Sequence, residues 1–306
     1  MYNMDKLYEA VSAKGHVCVG LDTSPDYIPL LERRRVSSDA EAVLAYNRAI
    51  IDATADSAAC FKVQIAYYEA LGRAGLDTYA KTLSTIREKN SLVIADIKRG
   101  DIADTASQYA KAHFEGDFEA DFVTLSPYMG MDSIEPWLVY AEKTGKGAFV
   151  LLKTSNKGMM DFQYLELEGG SQSRRLYHKV GDRLAELADK HRGAYGYGAF
   201  GAVVGADPKS EAEREEAAAI RERYQNLFFL IPGYGAQGGA ADDAALLLVN
   251  GNGGVVNASR SILKAWMEKP GSTEQANNAP NNEFAAEASR EAVLAMRDTI
   301  QAAAKK

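Results

Sequence analysis

Residues 91–101 read SLVIADIKRGD, an apolar run of strand length that ends in charged side chains. An amphipathic stretch of helical length, 102–114, follows at once. A short buried strand and then a helix is the pattern of a βα unit in a parallel sheet, and this pattern recurs along the chain. Eight strands are predicted in this way: Val17–Leu21, Cys60–Ile65, Leu92–Ile97, Phe122–Leu125, Ala148–Leu152, Ala199–Val204, Leu227–Ile231 and Gly254–Asn257.

Helical periodicity marks the segments between most of these strands, and Asp39 and Ser210 occupy positions where N-caps belong. Eight strands, mostly followed by a helix, in a chain of 306 residues favour an α/β fold of the TIM (β/α)8 barrel type. An open doubly wound sheet is the main structural alternative. The predicted helices are Asp39–Ala55, Asp77–Lys89, Ile102–Phe114, Ile134–Lys143, Arg174–His191 and Ser210–Tyr224.

Four further segments surround the predicted barrel. Residues 1–15 have the pattern of an N-terminal amphipathic helix, and residues 283–304 that of a C-terminal helix. Segment 155–172, with its glycine breaks, and the polar segment 270–282 have the composition of an insertion and a linker. We therefore expect residues 1–306 to form one barrel domain with an N-terminal helix, an insertion near 155–172 and a linker near 270–282 before a C-terminal helical extension.

The composition is that of an ordinary globular protein, with 46% hydrophobic and 25% charged residues. The formal net charge of -7 favours neither nucleic acid nor an anionic membrane surface as a partner. Cys18 and Cys60 both fall in predicted buried strands, which argues against a disulfide framework and for a reducing compartment. The N-terminus lacks the apolar core of a secretory signal. We expect a cytoplasmic protein without a membrane span.

Charged residues close three neighbouring strands of the predicted barrel, at the end where active sites of this fold lie. Asp96 and Lys98 follow the apolar part of the third strand and, by strand alternation, point to the same face. Lys62 on the second strand and Asp22 after the first can complete an array of alternating carboxylate and ammonium groups. Buried charges need partners or a ligand. The array therefore predicts a functional site, with a structural ion-pair network at the rim as the alternative.

The loops after strands seven and eight predict a phosphate site. Segment 232–239, PGYGAQGG, carries glycines that let backbone N–H groups approach an anion, and Gln237 adds a neutral donor. Arg260, after strand eight, offers a guanidinium for bidentate contact with phosphate oxygens. Glycine clusters also occur in ordinary turns. However, these two loops together form the recurrent phosphate site of TIM barrels.

Four motifs, in this order, resemble those of the orotidine 5′-phosphate decarboxylases. They are FKVQ at 61–64, ADIKRGDI at 95–102 with Thr105 following, IPGYGAQGG at 231–239 and NASR at 257–260. The stretch KTSN at 153–156 makes the longer-chain bacterial subfamily the most similar. The resemblance runs from Val17 to Leu263. In one respect the chain departs from shorter family members, because its arginine stands in NASR rather than after a glycine.

The resemblance implies a lyase that decarboxylates orotidine 5′-phosphate to uridine 5′-phosphate in de novo pyrimidine biosynthesis, as a homodimer, with neither metal nor organic cofactor. It implies that Lys98 protonates a carbanion at C6 of the pyrimidine, while Asp96 and Lys62 complete the charged array. Asp101 and Thr105 are expected to reach the active site of the neighbouring subunit. The resemblance and the strand-end pattern assign substrate contacts to Asp22, Gln64, Thr105, Thr154, Ser155, Pro232, Gln237 and Arg260.

One alternative is a metal-dependent decarboxylase of the same barrel group that acts on a sugar-phosphate β-keto acid, because the pattern D-x-K-x-x-D occurs there too. Those enzymes have an additional acidic metal ligand on strand two. This chain has Lys62 at that position, and an ammonium group would repel Mg²⁺. The four histidines show no ligand spacing. We therefore expect no metal.

A second alternative is a non-catalytic protein that binds a phosphate-bearing ligand on the same barrel. The set Lys62, Asp96, Lys98 and Asp101 argues against it. Simple binding of an anionic ligand does not require two carboxylates beside that ligand. The residues therefore favour catalysis.

Overall fold

The computed structural model describes residues 1–168, 174–235, 240–272 and 280–305, and it confirms the predicted barrel. The strands of the barrel are β1 Val17–Gly20, β2 Cys60–Gln64, β3 Leu92–Arg99, β4 Phe122–Leu125, β5 Gly147–Lys153, β6 Phe200–Val204, β7 Phe229–Pro232 and β8 Gly254–Ala258. All neighbouring strands pair in parallel and close in the order β1-β8-β7-β6-β5-β4-β3-β2. Each predicted strand is present, with ends that differ only slightly.

Helices cover the outside of the barrel and flank its two ends. They are α1 Asn3–Lys14, α2 Leu30–Arg34, α3 Asp39–Thr54, α4 Ile65–Glu69, α5 Gly72–Glu88, α6 Ala103–Phe114, α7 Glu135–Thr144, α8 Met159–Phe162, α9 Leu176–Lys190, α10 Glu211–Arg223, α11 Ala241–Ala245, α12 Arg260–Leu263 and α13 Asn282–Ala303. Short 3₁₀ turns lie at Pro25–Tyr27, Gly116–Phe118, Met131–Ser133 and Ala265–Glu268. In the described part of the chain, no helix is long and apolar enough to cross a membrane.

The N-cap of α3 and the first residues of α5 and α9 differ from the sequence prediction. The helix predicted from Arg174 begins at Leu176, because Arg174–Arg175 forms a short strand. Ser38, rather than Asp39, is the N-cap of α3, because its side chain accepts a hydrogen bond from the Glu41 N–H. The helix predicted from residue 77 begins at Gly72. Glycine at that position has a positive φ of 67°, which permits the sharp turn between α4 and α5. The N-cap predicted at Ser210 is confirmed.

The C-terminal helix α13 packs on the barrel. It contacts α3 on one side and α11 on the other, and it also contacts β1. Its buried face includes Val293, Met296 and Ile300. The helix therefore completes the outer layer next to β1. It begins at Asn282, with the side chain of Asn281 accepting a hydrogen bond from the Phe284 N–H at 2.9 Å.

The N-terminal helix α1 closes the end of the barrel opposite the charged strand ends. Met4, Leu7 and Val11 belong to one buried cluster with the interior side chains of the strands, among them Cys18, Cys60, Ile94, Phe122, Phe149 and Val255. Cys60 and Phe122 are the first residues of their strands, so this cluster lies at the amino-terminal end. Both cysteines are buried and free, as predicted.

We expect the Leu7→Ala variant to lower the free energy of unfolding by about 3 kcal/mol, because truncating a buried leucine leaves a cavity. Leu7 is fully buried in the interior cluster. Urea denaturation at one fixed protein concentration measures the change. Lys6→Ala, at an exposed position of the same helix, is the matched control and should change stability by less than about 0.5 kcal/mol. Equal stability of Leu7→Ala and Lys6→Ala would show that α1 does not seal the barrel.

Candidate active site

Four charged side chains form a continuous array at the carboxyl ends of β1, β2 and β3. Asp22, which follows β1, accepts a hydrogen bond from Lys62 Nζ at 2.9 Å. The same ammonium donates to Asp96 Oδ2 at 3.0 Å. Lys98 Nζ donates to Asp96 Oδ1 at 2.6 Å. The structure therefore brings together the four residues of the predicted array, with negative and positive charges alternating.

The two central members of the array are buried, with 5% of Asp96 and 4% of Lys62 exposed. Burial alone raises the pKa of the Asp96 carboxyl. The charges of Lys62 and Lys98, with the hydrogen bonds that the carboxylate accepts, outweigh burial and hold its pKa well below the usual range. Burial lowers the pKa of the Lys62 ammonium, but Asp22 and Asp96 reverse this and raise its pKa above the ordinary value. Both groups are therefore charged at neutral pH.

The end of β3 departs from regular strand geometry. Its register with β4 shifts after Ala95, so that β3 carries two more residues than β4 before Arg99 pairs again. Lys98 has a φ of 45°, in the left-handed region that residues with a side chain rarely adopt. Its side chain reaches Asp96 and is still 47% exposed. The pair predicted from simple alternation thus forms across a bulge, which leaves the ammonium accessible to a ligand.

Thr124, in the middle of β4, holds this bulge in place. Its hydroxyl accepts hydrogen bonds from the backbone N–H groups of Ile97 and Lys98, both at 3.0 Å. The same hydroxyl donates to Asp96 Oδ1 at 2.8 Å. Thr124 was not among the predicted site residues. The only signal for it in the sequence is a polar residue inside an otherwise apolar strand.

The array lines a cleft with two lobes. The first lobe has a volume of about 330 Å³, and its lining includes Asp22, Tyr234, Ser259 and Arg260. The second has a volume of about 220 Å³, and its lining includes Lys98, Thr124, Thr154 and Ser155. Four residues line both lobes: Lys62, Asp96, Pro232 and Asn257. The lobes therefore meet along these four residues.

Arg260 supplies a positive charge to the first lobe, where it follows β8 directly. The preceding Ser259 donates its hydroxyl to Asp22 Oδ2 at 2.9 Å and so orients that carboxylate. Ser259 was not among the predicted site residues. Pro232 lines the lobe from the end of β7. Gln237, the predicted neutral donor of the following loop, lies outside the described residues.

Three other predicted site residues do not line the cleft of their own chain. Gln64 donates its amide to Asp96 Oδ2 at 2.9 Å, so it acts here on the array. Asp101 accepts a hydrogen bond from the adjacent Ile102 N–H at 2.9 Å. Thr105 is exposed on α6. The single chain thus leaves Asp101 and Thr105 outside its own site.

The insertion after β5 contacts residues that line the second lobe. Gln163, just after α8, accepts a hydrogen bond from the Thr154 N–H at 2.9 Å and donates to Thr154 Oγ1 at 2.9 Å. Thr154 Oγ1 in turn donates to Asn156 Oδ1 at 2.7 Å. The insertion predicted at 155–172 therefore has a structural consequence, since it fixes the residues that line this lobe. The described part of it also includes a short strand, Glu166–Leu167, which pairs with Arg174–Arg175.

Glu216 on α10 anchors the same insertion. It accepts hydrogen bonds from the hydroxyls of Tyr164 and Tyr177, the latter at 2.8 Å, and forms an ion pair with Arg175. Lys153, the last residue of β5, lies with its Nζ 3.8 Å from the same carboxylate. Glu216 is largely buried, with 15% of its side chain exposed. This single carboxylate thus connects the end of β5, the insertion and α10.

The donor set of the cleft suits an organic anion better than a metal ion. Within the described ranges, no group of three or more His, Cys, Asp or Glu side chains is arranged to hold a metal. Lys62 stands between Asp22 and Asp96, so the two carboxylates are already neutralised by an ammonium. Hydroxyl, carboxylate and phosphate groups of a ligand can exchange hydrogen bonds with this array and with Arg260.

Comparison with known families identifies similar proteins over nearly the whole chain. Residues 15–272 match the model of the family described as orotidine 5′-phosphate decarboxylase / HUMPS. The chain is 53% identical over 299 residues to the orotidine 5′-phosphate decarboxylase of Clostridium perfringens (strain SM101), covering 98% of each protein. It is 50% identical over 298 residues to the enzyme of that name from Clostridium acetobutylicum, covering 97% of this chain and 98% of that protein.

A solved structure shows the same fold. The OMP decarboxylase of Leishmania donovani superposes with a TM-score of 0.68 at 30% sequence identity, over 97% of this chain and 99% of that chain. The similarity therefore extends over the barrel and its surrounding helices in both proteins.

We expect Gln163→Ala to accelerate hydrogen exchange of the Thr154 amide by about tenfold, because among the described residues this N–H donates only to the Gln163 side chain. Hydrogen exchange followed by mass spectrometry or NMR measures the rate. Gln163→Glu keeps a side-chain oxygen at the same place and should retain most of the protection. Unchanged exchange in Gln163→Ala would show that the insertion does not hold this loop.

Proposed function

The chain belongs to the orotidine 5′-phosphate decarboxylase / HUMPS family, and we propose that it converts orotidine 5′-phosphate to uridine 5′-phosphate and CO₂. This places it in pyrimidine biosynthesis as a carboxy-lyase. The observation that carries the proposal is the array Asp22–Lys62–Asp96–Lys98 along a cleft that ends at Arg260. It combines an exposed ammonium, a buried ionised carboxylate and a separate cationic lobe for a phosphate.

The chemistry requires stabilisation of charge on one carbon. When the bond between C6 and the carboxylate breaks, the electron pair stays on C6 in the plane of the ring, with no neighbouring electron sink. Lys98 places an ammonium at 2.6 Å from Asp96, beside the second lobe. This ammonium stabilises the developing carbanion and transfers a proton to C6. Water then reprotonates the amine.

Asp96 has two roles in this proposal. It holds Lys98 in position through their hydrogen bond. It is also a buried charge of the same sign as the substrate carboxylate, so it disfavours that carboxylate and favours its departure as neutral CO₂. Its depressed pKa keeps this charge present throughout the neutral range.

The two lobes accommodate the two ends of the nucleotide. We assign the pyrimidine to the second lobe, against Thr154 and Ser155. The phosphate is assigned to the first lobe, at Arg260, with Pro232 beside it and Gln237 as a further donor. The ribose then lies between them, where Asp22 and Lys62 can contact its hydroxyls. Binding energy from the phosphate, remote from C6, can lower the barrier to decarboxylation.

We propose that the enzyme uses neither a metal ion nor an organic cofactor. Lys62 Nζ lies 2.9 Å from Asp22 and 3.0 Å from Asp96. The ammonium therefore occupies the position between the two carboxylates that a bound metal ion would take. A metal-dependent decarboxylase of a sugar-phosphate β-keto acid would require their release. This argument favours the nucleotide substrate over that alternative.

A homodimer with shared active sites is supported by an exposed apolar patch on the segments that follow β4 and β5. The ring of Tyr128 packs against that of Phe162, with 6.0 Å between their centroids. Tyr128 is 78% exposed and Phe162 54% exposed. Exposed apolar patches mark interaction surfaces. Ile102, Tyr109, Met129 and Met160, between β3 and the end of α8, are exposed apolar side chains as well. Covering this patch with a second subunit would carry Asp101 and Thr105 towards the neighbouring site.

The packing of the terminal helices and the state of the cysteines bear on the domain organisation and the cellular location. We propose that residues 1–306 act as a single domain, because α1 packs into the barrel interior and α13 packs on its outer layer. We also propose a cytoplasmic location. The two buried thiols remain unpaired, which fits a reducing compartment.

The direct test follows the ultraviolet absorbance of orotidine 5′-phosphate with purified protein in EDTA. The wild-type protein should turn the substrate over. Lys98→Ala should lose at least about 10³-fold in kcat, because it removes the proton donor, while uridine 5′-monophosphate still binds. Absence of wild-type turnover would overturn the proposed function. Lys98→Ala that turns over normally once substrate is bound would overturn the role of Lys98.

Arg260→Ala is the matched control for Lys98→Ala, because it removes a cation from the phosphate lobe. It should raise KM about 100-fold, as expected for the loss of charge-assisted hydrogen bonds to phosphate. Its kcat should fall much less than that of Lys98→Ala. The two variants therefore separate binding from chemistry within one assay.

Mixing inactive variants tests the shared sites. A heterodimer of Lys98→Ala and Asp101→Ala subunits contains one site with both Lys98 and Asp101 intact. After refolding together at equal amounts, such a mixture should recover about a quarter of wild-type activity. A mixture of Lys98→Ala with Lys62→Ala is the control and should recover none, since both residues serve their own subunit. Failure of the first mixture to recover activity would exclude a shared site.

A further inference from the structure

Asn257, near the end of β8, is a polar residue that the proposed mechanism does not use. It stands opposite Cys18 of β1 and Pro232 of β7 in the barrel register. Only 8% of its surface is exposed. It nevertheless lines both lobes of the cleft, together with Lys62 and Asp96. Its side chain therefore forms part of the cleft wall at the junction of the lobes.

The orientation of the Asn257 amide is fixed by its neighbours on β1. The thiol of Cys18 donates to Asn257 Oδ1 at a sulfur–oxygen distance of 3.7 Å. A Cβ placed on Gly20 would lie 2.9 Å from the same oxygen, so Oδ1 packs directly against β1. The amide nitrogen consequently faces away from β1.

The amide nitrogen of Asn257 has no protein acceptor among the described residues. The hydrogen bond from Cys18 accounts for the side-chain oxygen only. The nitrogen is not among the fully buried polar atoms that lack a partner, so it is accessible from the cleft that Asn257 lines. The neighbouring carboxylate of Asp96 already accepts from Lys62 and Lys98. A ligand in the cleft is therefore the natural source of an acceptor.

The position of Asn257 at the junction of the two lobes indicates which part of the ligand it contacts. In a nucleoside 5′-monophosphate the ribose connects the base to the phosphate. If the base occupies the second lobe and the phosphate the first, a residue at the junction of the lobes lies close to the ribose. A ribose hydroxyl can accept a hydrogen bond from a neutral amide while donating its own proton to a carboxylate such as Asp22. Asparagine supplies this donor without adding a positive charge to the array.

We propose that Asn257 donates its side-chain N–H to a ribose hydroxyl of the bound nucleotide and thereby favours the ribonucleotide over the deoxy analogue that lacks this hydroxyl. The inference rests on the proposed function, since it assumes a nucleotide in the cleft. It adds a binding residue to Asp22 and Lys62. It also gives a role to the first residue of NASR, the motif in which this chain departs from shorter family members.

Calorimetric titration with three ligands tests the inference: uridine 5′-monophosphate, its 2′-deoxy analogue and its 3′-deoxy analogue. The wild-type protein should bind one deoxy analogue more weakly than the ribonucleotide. Asn257→Ala should weaken ribonucleotide binding about fivefold to tenfold, as expected for one lost hydrogen bond. It should leave the Kd of that deoxy analogue nearly unchanged, so that the preference for the ribonucleotide disappears.

Two further variants control the measurement. Asn257→Leu removes the donor but keeps the shape of the side chain, and it should give the same loss of preference without a cavity. Asn226→Ala removes an amide that contacts Ala185 and Asp189 outside the cleft, and it should leave all three affinities unchanged. Thermal unfolding of each variant establishes that it is folded.

The outcomes separate the inference from the proposed function. If Asn257→Ala and Asn257→Leu weaken all three ligands equally, or weaken none, the contact with a ribose hydroxyl is overturned while normal turnover keeps the function intact. If the wild-type protein neither binds uridine 5′-monophosphate nor decarboxylates orotidine 5′-phosphate, the function and the inference both fail. If both Asn257 variants lose the ribonucleotide preference and the wild-type protein turns over orotidine 5′-phosphate, the inference and the proposed function are both supported.

Discussion

The site depends on the burial of one ionised carboxylate, that of Asp96. Each of its oxygens accepts two hydrogen bonds: Oδ1 from Lys98 and Thr124, and Oδ2 from Lys62 and Gln64. A buried charge is tolerated only when its lone pairs are satisfied in this way. The donors come from β2, β3 and β4, so three adjacent strands must keep their register for the charge to persist. The geometry of the site is therefore enforced by the cost of losing any of these partners.

The buried charge and the apolar cluster that stabilises the barrel lie at opposite ends of the strands. At the amino-terminal end, α1 contributes Met4, Leu7 and Val11 to an apolar cluster inside the strands. At the carboxyl-terminal end, the charged array and Thr124 line the cleft together with the apolar side chains of Leu151, Val203 and Leu230. Apolar burial at one end supplies stability that does not depend on ligand or charge. The other end can therefore keep a bulge at Lys98 with a positive φ, which a less well supported strand would not retain.

Most of the fold and the charged array could be predicted because both follow from short-range periodicity. Strand alternation predicts Asp96 beside Lys98, although the structure forms this pair across a bulge. The common end of parallel strands brings Lys62 to them. Contacts between residues far apart in sequence carry no such periodic signal. Thr124 holds the β3 bulge. Glu216 on α10 anchors the insertion through Tyr164, Tyr177 and Arg175, which lie far from it in sequence. These contacts depend on the register between strands and on the path of a loop, which the local pattern does not determine.

The side chains of the motif at the end of β3 do not all face the same cleft. Asp96 and Lys98 face the cleft of their own chain, whereas Asp101 bonds to its neighbouring backbone and lines neither lobe. Lys98 and Ala103 have positive φ values of 45° and 46°, so the chain bends at both positions between β3 and α6. A Cβ placed on Gly100 would lie 3.2 Å from the carbonyl oxygen of Ser126, so this turn runs beside the segment that carries Tyr128 of the exposed apolar patch. An active site completed across that patch would couple catalysis to assembly, because an isolated subunit would contain the ammonium and Asp96 but lack the second carboxylate.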